Sequence, residues 1–172
     1  GKLTPESGIM HILKAVEILK ENGNISFRVI GSGYLFKEAE KFIKEQHLSN
    51  IDFISKYLSE DELISKMSDA DLMLGQFGSN PRLNRTIPHK AFEAMAMGIP
   101  YLTGDGMALK EIATEGKNAF FVPLANPRAL AEKINFLASE PELLSKVAIN
   151  AKRNFDRKFA SRHLVESILR ML

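Results

Sequence analysis

Two hydrophobic periods alternate along this chain, and the alternation leaves few folds open. Ile9, Ile12, Leu13, Val16 and Leu19 recur at three- and four-residue spacing, a helix buried on one face, and Asn22-Gly23 ends the run. Residues 25–30 are short and β-rich, and Gly31 closes them. The exchange then repeats. The pattern predicts helices over 34–47, 60–67, 88–97 and 108–114, with strands over 51–54, 71–74, 101–103 and 119–122. Helices follow over 127–138, 141–155 and 161–172. Strands separated by helices of about 8–15 residues are βαβ units. The expected fold is therefore α/β, one parallel sheet with helices on both faces. Residues 1–8 read as a strand-to-helix loop with no strand ahead of it, so the expectation is a single domain over 1–172 cut from a longer chain.

Composition narrows the function. A length of 172 residues suits one domain with a sizeable core. A net charge of +2 is too small to argue for nucleic acid. The absence of cysteine removes disulfides, thiolate metal sites and a cysteine nucleophile. No apolar run reaches the roughly 18 residues of a membrane span, and the start is polar, without a secretion signal. A cytoplasmic protein is expected, with the sequons at Asn24 and Asn84 unmodified.

Three stretches carry chemistry. Gly31-Ser32-Gly33 lies between a strand and a helix, where glycines let backbone approach a phosphate or simply make a tight turn. The third glycine of a dinucleotide fingerprint would fall at Phe36, which argues against NAD. Asp69-Ala70-Asp71 has metal-binding spacing but precedes its strand, at the edge of the sheet opposite to where ligands bind; no metal is expected there. The third stretch is the segment 81–100. Pro88 suits a helix start and Gly98 a helix end. The preceding segment, 75–87, is long and follows a strand, which puts it at the carboxyl edge of the sheet and marks it as functional. The free N–H groups of a helix start there favour an anion, and Arg82, Arg85, His89 and Lys90 add charge. Ala91, Ala94 and Ala96 let the helix pack closely; the alternative is a buried amphipathic helix with a solvated basic start. Glu93 shares a helix face with His89 and Lys90. It either holds a ribose through both hydroxyls or forms an ordinary pair with Lys90.

Taken in order, several stretches resemble the donor-binding domain of the group 1 (family 4) glycosyltransferases. They are Gly1-Lys2-Leu3-Thr4-Pro5-Glu6-Ser7-Gly8, Phe27 to Gly33, Asp71 to Leu74, Phe92 to Pro100, Glu111-Ile112, Gly116, Val122-Pro123 and Asn126-Pro127. The resemblance covers nearly the whole chain. It implies a Rossmann-like C-terminal domain of the GT-B architecture, in which two such domains face across a cleft. It also implies metal-independent, retaining transfer of a sugar from a nucleotide diphosphate sugar to a glycan or lipid-linked glycan. The nucleotide sugar would be substrate, with no cofactor. The N-terminal acceptor domain of the same protein would be the partner, and the full protein could associate peripherally with the inner face of the membrane. The implied nucleotide-sugar-binding residues are Glu93, Arg85, Thr86, Pro88, His89, Lys90, Gly31, Gly33, Lys2 and Lys56, with no catalytic residue assigned in this chain. Two positions depart from the family pattern. Arg85 stands where the first acid of a Glu-x7-Glu pair would be, and Ser7 where a second phosphate-binding lysine would be. The phosphate grip is expected to shift to Arg85, His89 and Lys90. The alternative functions are a nucleotide-sugar epimerase of the same architecture and a non-catalytic α/β binding module.

Overall fold

The computed structural model describes residues 1–160; the helix expected over 161–172 lies outside the described residues. The elements are α1 (Ile9–Ile18), β1 (Phe27–Ile30), α2 (Phe36–Glu45), β2 (Ile51–Ile54), α3 (Glu60–Ser68), β3 (Met73–Leu74), α4 (His89–Met97), β4 (Tyr101–Gly104), β5 (Phe120–Val122), α5 (Pro127–Ala138) and α6 (Pro141–Lys158). Short 3-10 turns at Pro5–Ser7, Pro81–Asn84 and Ala108–Glu111 punctuate the loops.

All strand pairings are parallel, as expected, but they form two sheets instead of one: β1-β2 and β3-β4-β5. In the doubly wound order 3-2-1-4-5-6, these are strands 3-2 and 4-5-6. Strand 1 of that order is not among the described strands. Residues 1–3 reach only as far as the end of β1, through a parallel bridge between Lys2 and Ser32 and a 2.9 Å hydrogen bond from the Leu3 N–H to the Ser32 carbonyl.

Helix α1 packs across both sheets. Ile9 and Leu13 meet Ala39 of α2 and the partly buried Val29 of β1. Ile12, Ala15, Val16 and Leu19 meet Leu102 of β4, Phe120 and Val122 of β5, and four residues of α5. Side chains alternate across β4, as strand geometry requires. Leu102 enters the α1–α5 core, whereas Tyr101 enters a second core with Ala91, Ala94 and Met95 of α4 and Ala151 of α6. The sheet β3-β4-β5 therefore has helices on both faces.

Two boundaries moved for local reasons. The helix expected over 108–114 is a single 3-10 turn, Ala108–Glu111. The Asn118 side chain accepts from the Thr114 N–H (2.7 Å) and donates to the Ile112 carbonyl (3.1 Å), taking groups a longer helix would use. Helix α4 begins at His89, because Pro88 remains extended (φ −71°, ψ 142°) and serves as its N-cap residue. Its far end is as expected. Gly98 adopts φ 67°, and the Ile99 N–H reaches back to the Ala94 carbonyl at 2.9 Å, closing a Schellman motif.

Candidate functional site

The carboxyl ends of all five strands open onto one edge, and the opening loop lies across it. Glycines make this possible. A side chain at Gly31 would strike the Gly1 backbone, and a Cβ at Gly33 would sit 2.8 Å from the Leu3 nitrogen. A Cβ at Gly8 would sit 2.6 Å from the Gly78 nitrogen, and one at Gly78 would strike the Pro5 carbonyl. The close approach that Gly31 and Gly33 permit is thus made by the chain's own residues 1–3. The glycines frame the site at one remove and fix the place of Lys2.

The long segment after β3 is built, not loose. Thr103 Oγ1 accepts from the Gln76 N–H (3.1 Å) and donates to the Gln76 carbonyl (3.2 Å). Phe77 is 1% exposed, and its carbonyl accepts from the Ala125 N–H at 2.8 Å. Asn80 Oδ1 caps the turn Pro81–Asn84 at the Arg82 N–H (2.9 Å), while Asn80 Nδ2 donates to Glu6 Oε1 (2.9 Å). Thr86 Oγ1 donates to the Arg82 carbonyl (3.1 Å), and the Met107 N–H donates to Asn84 Oδ1 (3.3 Å). Beneath this scaffold is a small cleft lined by Gln76, Leu83, Thr86, Pro88, Thr103 and Gly104 among others. Gln76, Asn80 and Thr103 were not among the expected site residues. The signal for Thr103 was available: a polar β-branched residue at the carboxyl end of an otherwise apolar strand.

Helix α4 points its start at this edge. No side chain caps it, so its first N–H groups remain free to bind an anion. Lys90 is mostly buried, and desolvation lowers its pKa, partly offset by the Glu93 carboxylate. The Gly1 amino group is lowered by burial and then by Lys90, and raised by Glu93, which brings the chain start into electrostatic reach of both. Glu93 is exposed. Among the described residues it closes no ion pair with Lys90, so the ordinary helix pair is not formed. Arg85 and His89 are exposed at the same edge, and Thr86 and Pro88 line the cleft.

Lys56 follows the carboxyl end of β2, and its charge acts on Glu62, the acid of the capping box that starts α3. Glu6 is held below the usual carboxylate range by hydrogen bonds from its own N–H and from Thr4, with Arg82 and Asn80 adding to the effect. The Tyr101 hydroxyl is fully buried beside Thr103, and desolvation pushes its pKa far up. Asp69 lies 3.7 Å from the Arg28 guanidinium, ahead of β3 at the opposite edge of the sheet.

The family model described as glycosyl transferases group 1 matches residues 1–154. An uncharacterized glycosyltransferase of Methanocaldococcus jannaschii is 29% identical over 93% of this chain, which spans 42% of that relative's length. The structure of the C-terminal domain of a glycosyl transferase group 1 family protein from Francisella tularensis superposes with a TM-score of 0.79 at 23% identity, over 92% of this chain and 83% of that one. The Anabaena protein HepE, solved in complex with UDP and glucose, superposes with a TM-score of 0.82 at 18% identity, over 99% of this chain and 46% of that one.

Proposed function

Because this chain belongs to the group 1 glycosyl transferases, we propose that it is the donor-binding half of an enzyme that transfers a sugar from a nucleotide diphosphate sugar to a glycan or lipid-linked glycan. One observation carries the reading. An uncapped helix start, a partly buried ammonium and an exposed carboxylate one turn further on lie together at the carboxyl edge of a parallel sheet, where open α/β sheets bind ligands. A diphosphate at the start of α4 would meet its free N–H groups, Lys90, His89 and Lys2. These fixed positive groups would neutralise the leaving diphosphate without a metal. The ribose would then fall about one turn along α4, where Glu93 accepts hydrogen bonds from both hydroxyls. The UDP held by the Anabaena protein makes uridine diphosphate the first ligand to try. The acceptor site would belong to the N-terminal domain of the same protein, and the anomeric configuration would be retained. No described helix is long and apolar enough to cross a membrane; the whole protein would work in the cytoplasm, with peripheral contact to the inner membrane face.

The test is calorimetric titration of this chain with UDP and GDP, each compared with its 2′,3′-dideoxy analogue. Hydrogen bonds to a charged group contribute about 1.5–3 kcal/mol each. Glu93→Gln is therefore expected to weaken the better diphosphate at least about tenfold and its dideoxy analogue far less. Equal losses would show that Glu93 does not read the ribose. Absence of binding by either diphosphate would favour a non-catalytic module. The isolated chain is expected to bind donor without turning it over to an acceptor.

A further inference from the structure

Charge is unevenly distributed over the helices. Helix α6 carries five cations, Lys146, Lys152, Arg153, Arg157 and Lys158, against two acids, Glu142 and Asp156. Its net charge of +3 exceeds the +2 of the whole chain, so all other residues together carry −1. No other described helix compares. Helix α2 balances three lysines with three glutamates, and α3 is net negative.

The packing of α6 decides where these charges point. Val147 and Ala151 are fully buried, Ala151 in the core that α4 and Tyr101 share. Two residues along a helix is a rotation of about 200°, so Ile149 and Arg153 point away from the protein. Lys146 and Arg157 flank them at spacings of three and four residues, which makes a stripe about 16 Å long. All four side chains are exposed, and Ile149 is 49% exposed although it is aliphatic. Lys146, Ile149, Asn150 and Arg153 line one open hollow on this side. The acids of the helix do not neutralise the stripe. Asp156 holds Lys152 at 2.8 Å, while Lys146, Arg153 and Arg157 form no ion pair, nor does Glu142, one turn before Lys146.

We propose that the outer stripe of α6 docks the protein on an anionic lipid surface. The inference rests on the reading that the whole protein contacts a membrane face, and it gives that contact a place. Three cations on long flexible stems reach a diffuse layer of lipid phosphates, and Ile149 between them enters the layer beneath. Nucleic acid fits this surface less well, because a base would need a free aromatic ring to stack on. The rings at this end of the helix are engaged, Phe155 under the Lys152 ammonium and Phe159 edge-on to Phe92.

The experiment is co-sedimentation of the nucleotide-free chain with two kinds of vesicle, pure phosphatidylcholine and phosphatidylcholine mixed with phosphatidylglycerol, at low and at physiological salt. Wild type is expected to bind the anionic vesicles, less tightly at the higher salt, and to leave the neutral ones unbound. Each cation near such a surface is worth roughly fivefold in affinity, so Lys146→Gln/Arg153→Gln/Arg157→Gln is expected to lose about a hundredfold. The control is Lys37→Gln/Lys41→Gln/Lys44→Gln, which removes three exposed lysines of α2 and thus the same net charge; it is expected to stay within about threefold of wild type. Ile149→Ser is expected to weaken binding at both salt concentrations. Equal losses in the two charge variants overturn the proposal, because net charge alone would then govern binding. So does binding that survives the α6 substitutions or ignores lipid charge. Polyglutamate that binds wild type and not the α6 variant, with no vesicle bound, overturns it in favour of an acidic protein partner. A chain that binds uridine diphosphate but no vesicle sinks this inference alone, and one that binds neither sinks the donor-site reading as well. Glutamine keeps good helix propensity, and matching thermal melts confirm that the comparison is between folded chains.

Discussion

The two sheets are made of the same parallel βα units, yet they are buried very differently. Every residue of β4 is buried, and two of the three in β5. In β1 only Phe27 is buried, and in β2 none is. The helices differ in the same way. Helix α5 contributes Leu130, Ala131, Ile134 and Leu137 to the core, while α2 contributes only Ala39 and α3 no residue. The reason is coverage. The sheet β3-β4-β5 is sandwiched between α1–α5 and α4–α6, whereas the second face of β1-β2 carries a half-exposed Arg28–Asp52 pair at 3.1 Å. An exposed pair of this kind contributes about 0–1 kcal/mol, far less than a buried aliphatic layer. The cleft and the uncapped helix belong to the well-covered half, and that is the mechanically sound place for them. Binding geometry is held by side chains that packing has already fixed.

The largest test of this contrast is a pair of truncations. Leu102→Ala removes a fully buried side chain of β4 and is expected to cost about 2–5 kcal/mol, the range for a core cavity. Val29→Ala, in the partly buried β1, is expected to cost about 1 kcal/mol. Urea denaturation of both variants measures the difference. Equal losses would mean that the β1-β2 half is as well supported as its neighbour.

The second test concerns the seam between the halves. The opening loop runs from the end of β1, over Gly31 and Gly33, to the segment after β3, where Gly8 meets Gly78. Gly8 combines φ 70° with backbone atoms 2.6 Å from any Cβ. Gly8→Ala is expected to destabilise the chain by about 1–3 kcal/mol and to weaken nucleotide binding, because the opening loop loses its seat on the segment after β3. Gly23, with no atom within 4 Å of its Cβ position, is the control, and Gly23→Ala should change stability by no more than about 0.5 kcal/mol.

That seam also marks where reading the residues in order stops working. The succession of strands and helices was legible because hydrophobic period and caps are local. Pro88 and Gly98 bracket α4 within one residue of its observed ends. The 3-10 turn at Ala108–Glu111 was not, because the side chain that ends it, Asn118, comes seven residues later. Gly31 and Gly33 were legible as a place of close backbone approach, but not as the resting place of Gly1 and Leu3, some thirty residues back. The Thr103–Gln76 lock has the same character, linking two strand ends 27 residues apart. The cations around α4 could be gathered from the sequence, since they lie within one continuous stretch. The different position of Lys56, on the poorly covered half beside Glu62, could not.

The smallest expected effect separates the halves electrostatically, through Lys90 and Lys56. Lys90 is mostly buried, and desolvation lowers its pKa from the ordinary 10.5; Lys56 is exposed. In the unfolded chain Lys90 returns to its ordinary value, so between its lowered folded value and 10.5 the unfolded state binds more protons. Stability of the free chain therefore rises with pH across that window. A diphosphate bound as proposed at the start of α4 would stabilise the charged ammonium and restore its proton. Nucleotide affinity is therefore expected to fall with pH across the same window, by at most about tenfold per pH unit, the ceiling for one coupled proton. The Gly1 amino group titrates below its own ordinary value of 8.0. Tyr101 is raised from 10.0, so near and above that pH its phenol ionises in the unfolded chain only and lowers stability as pH rises, against the Lys90 slope. Opposite slopes of stability and affinity are the signature to look for, in thermal melts and titrations run from pH 8 to below 10. Both slopes should vanish in Lys90→Met and persist in Lys56→Met. If Lys56→Met removes the affinity slope instead, the diphosphate lies over the end of β2, and the poorly covered half holds the ligand.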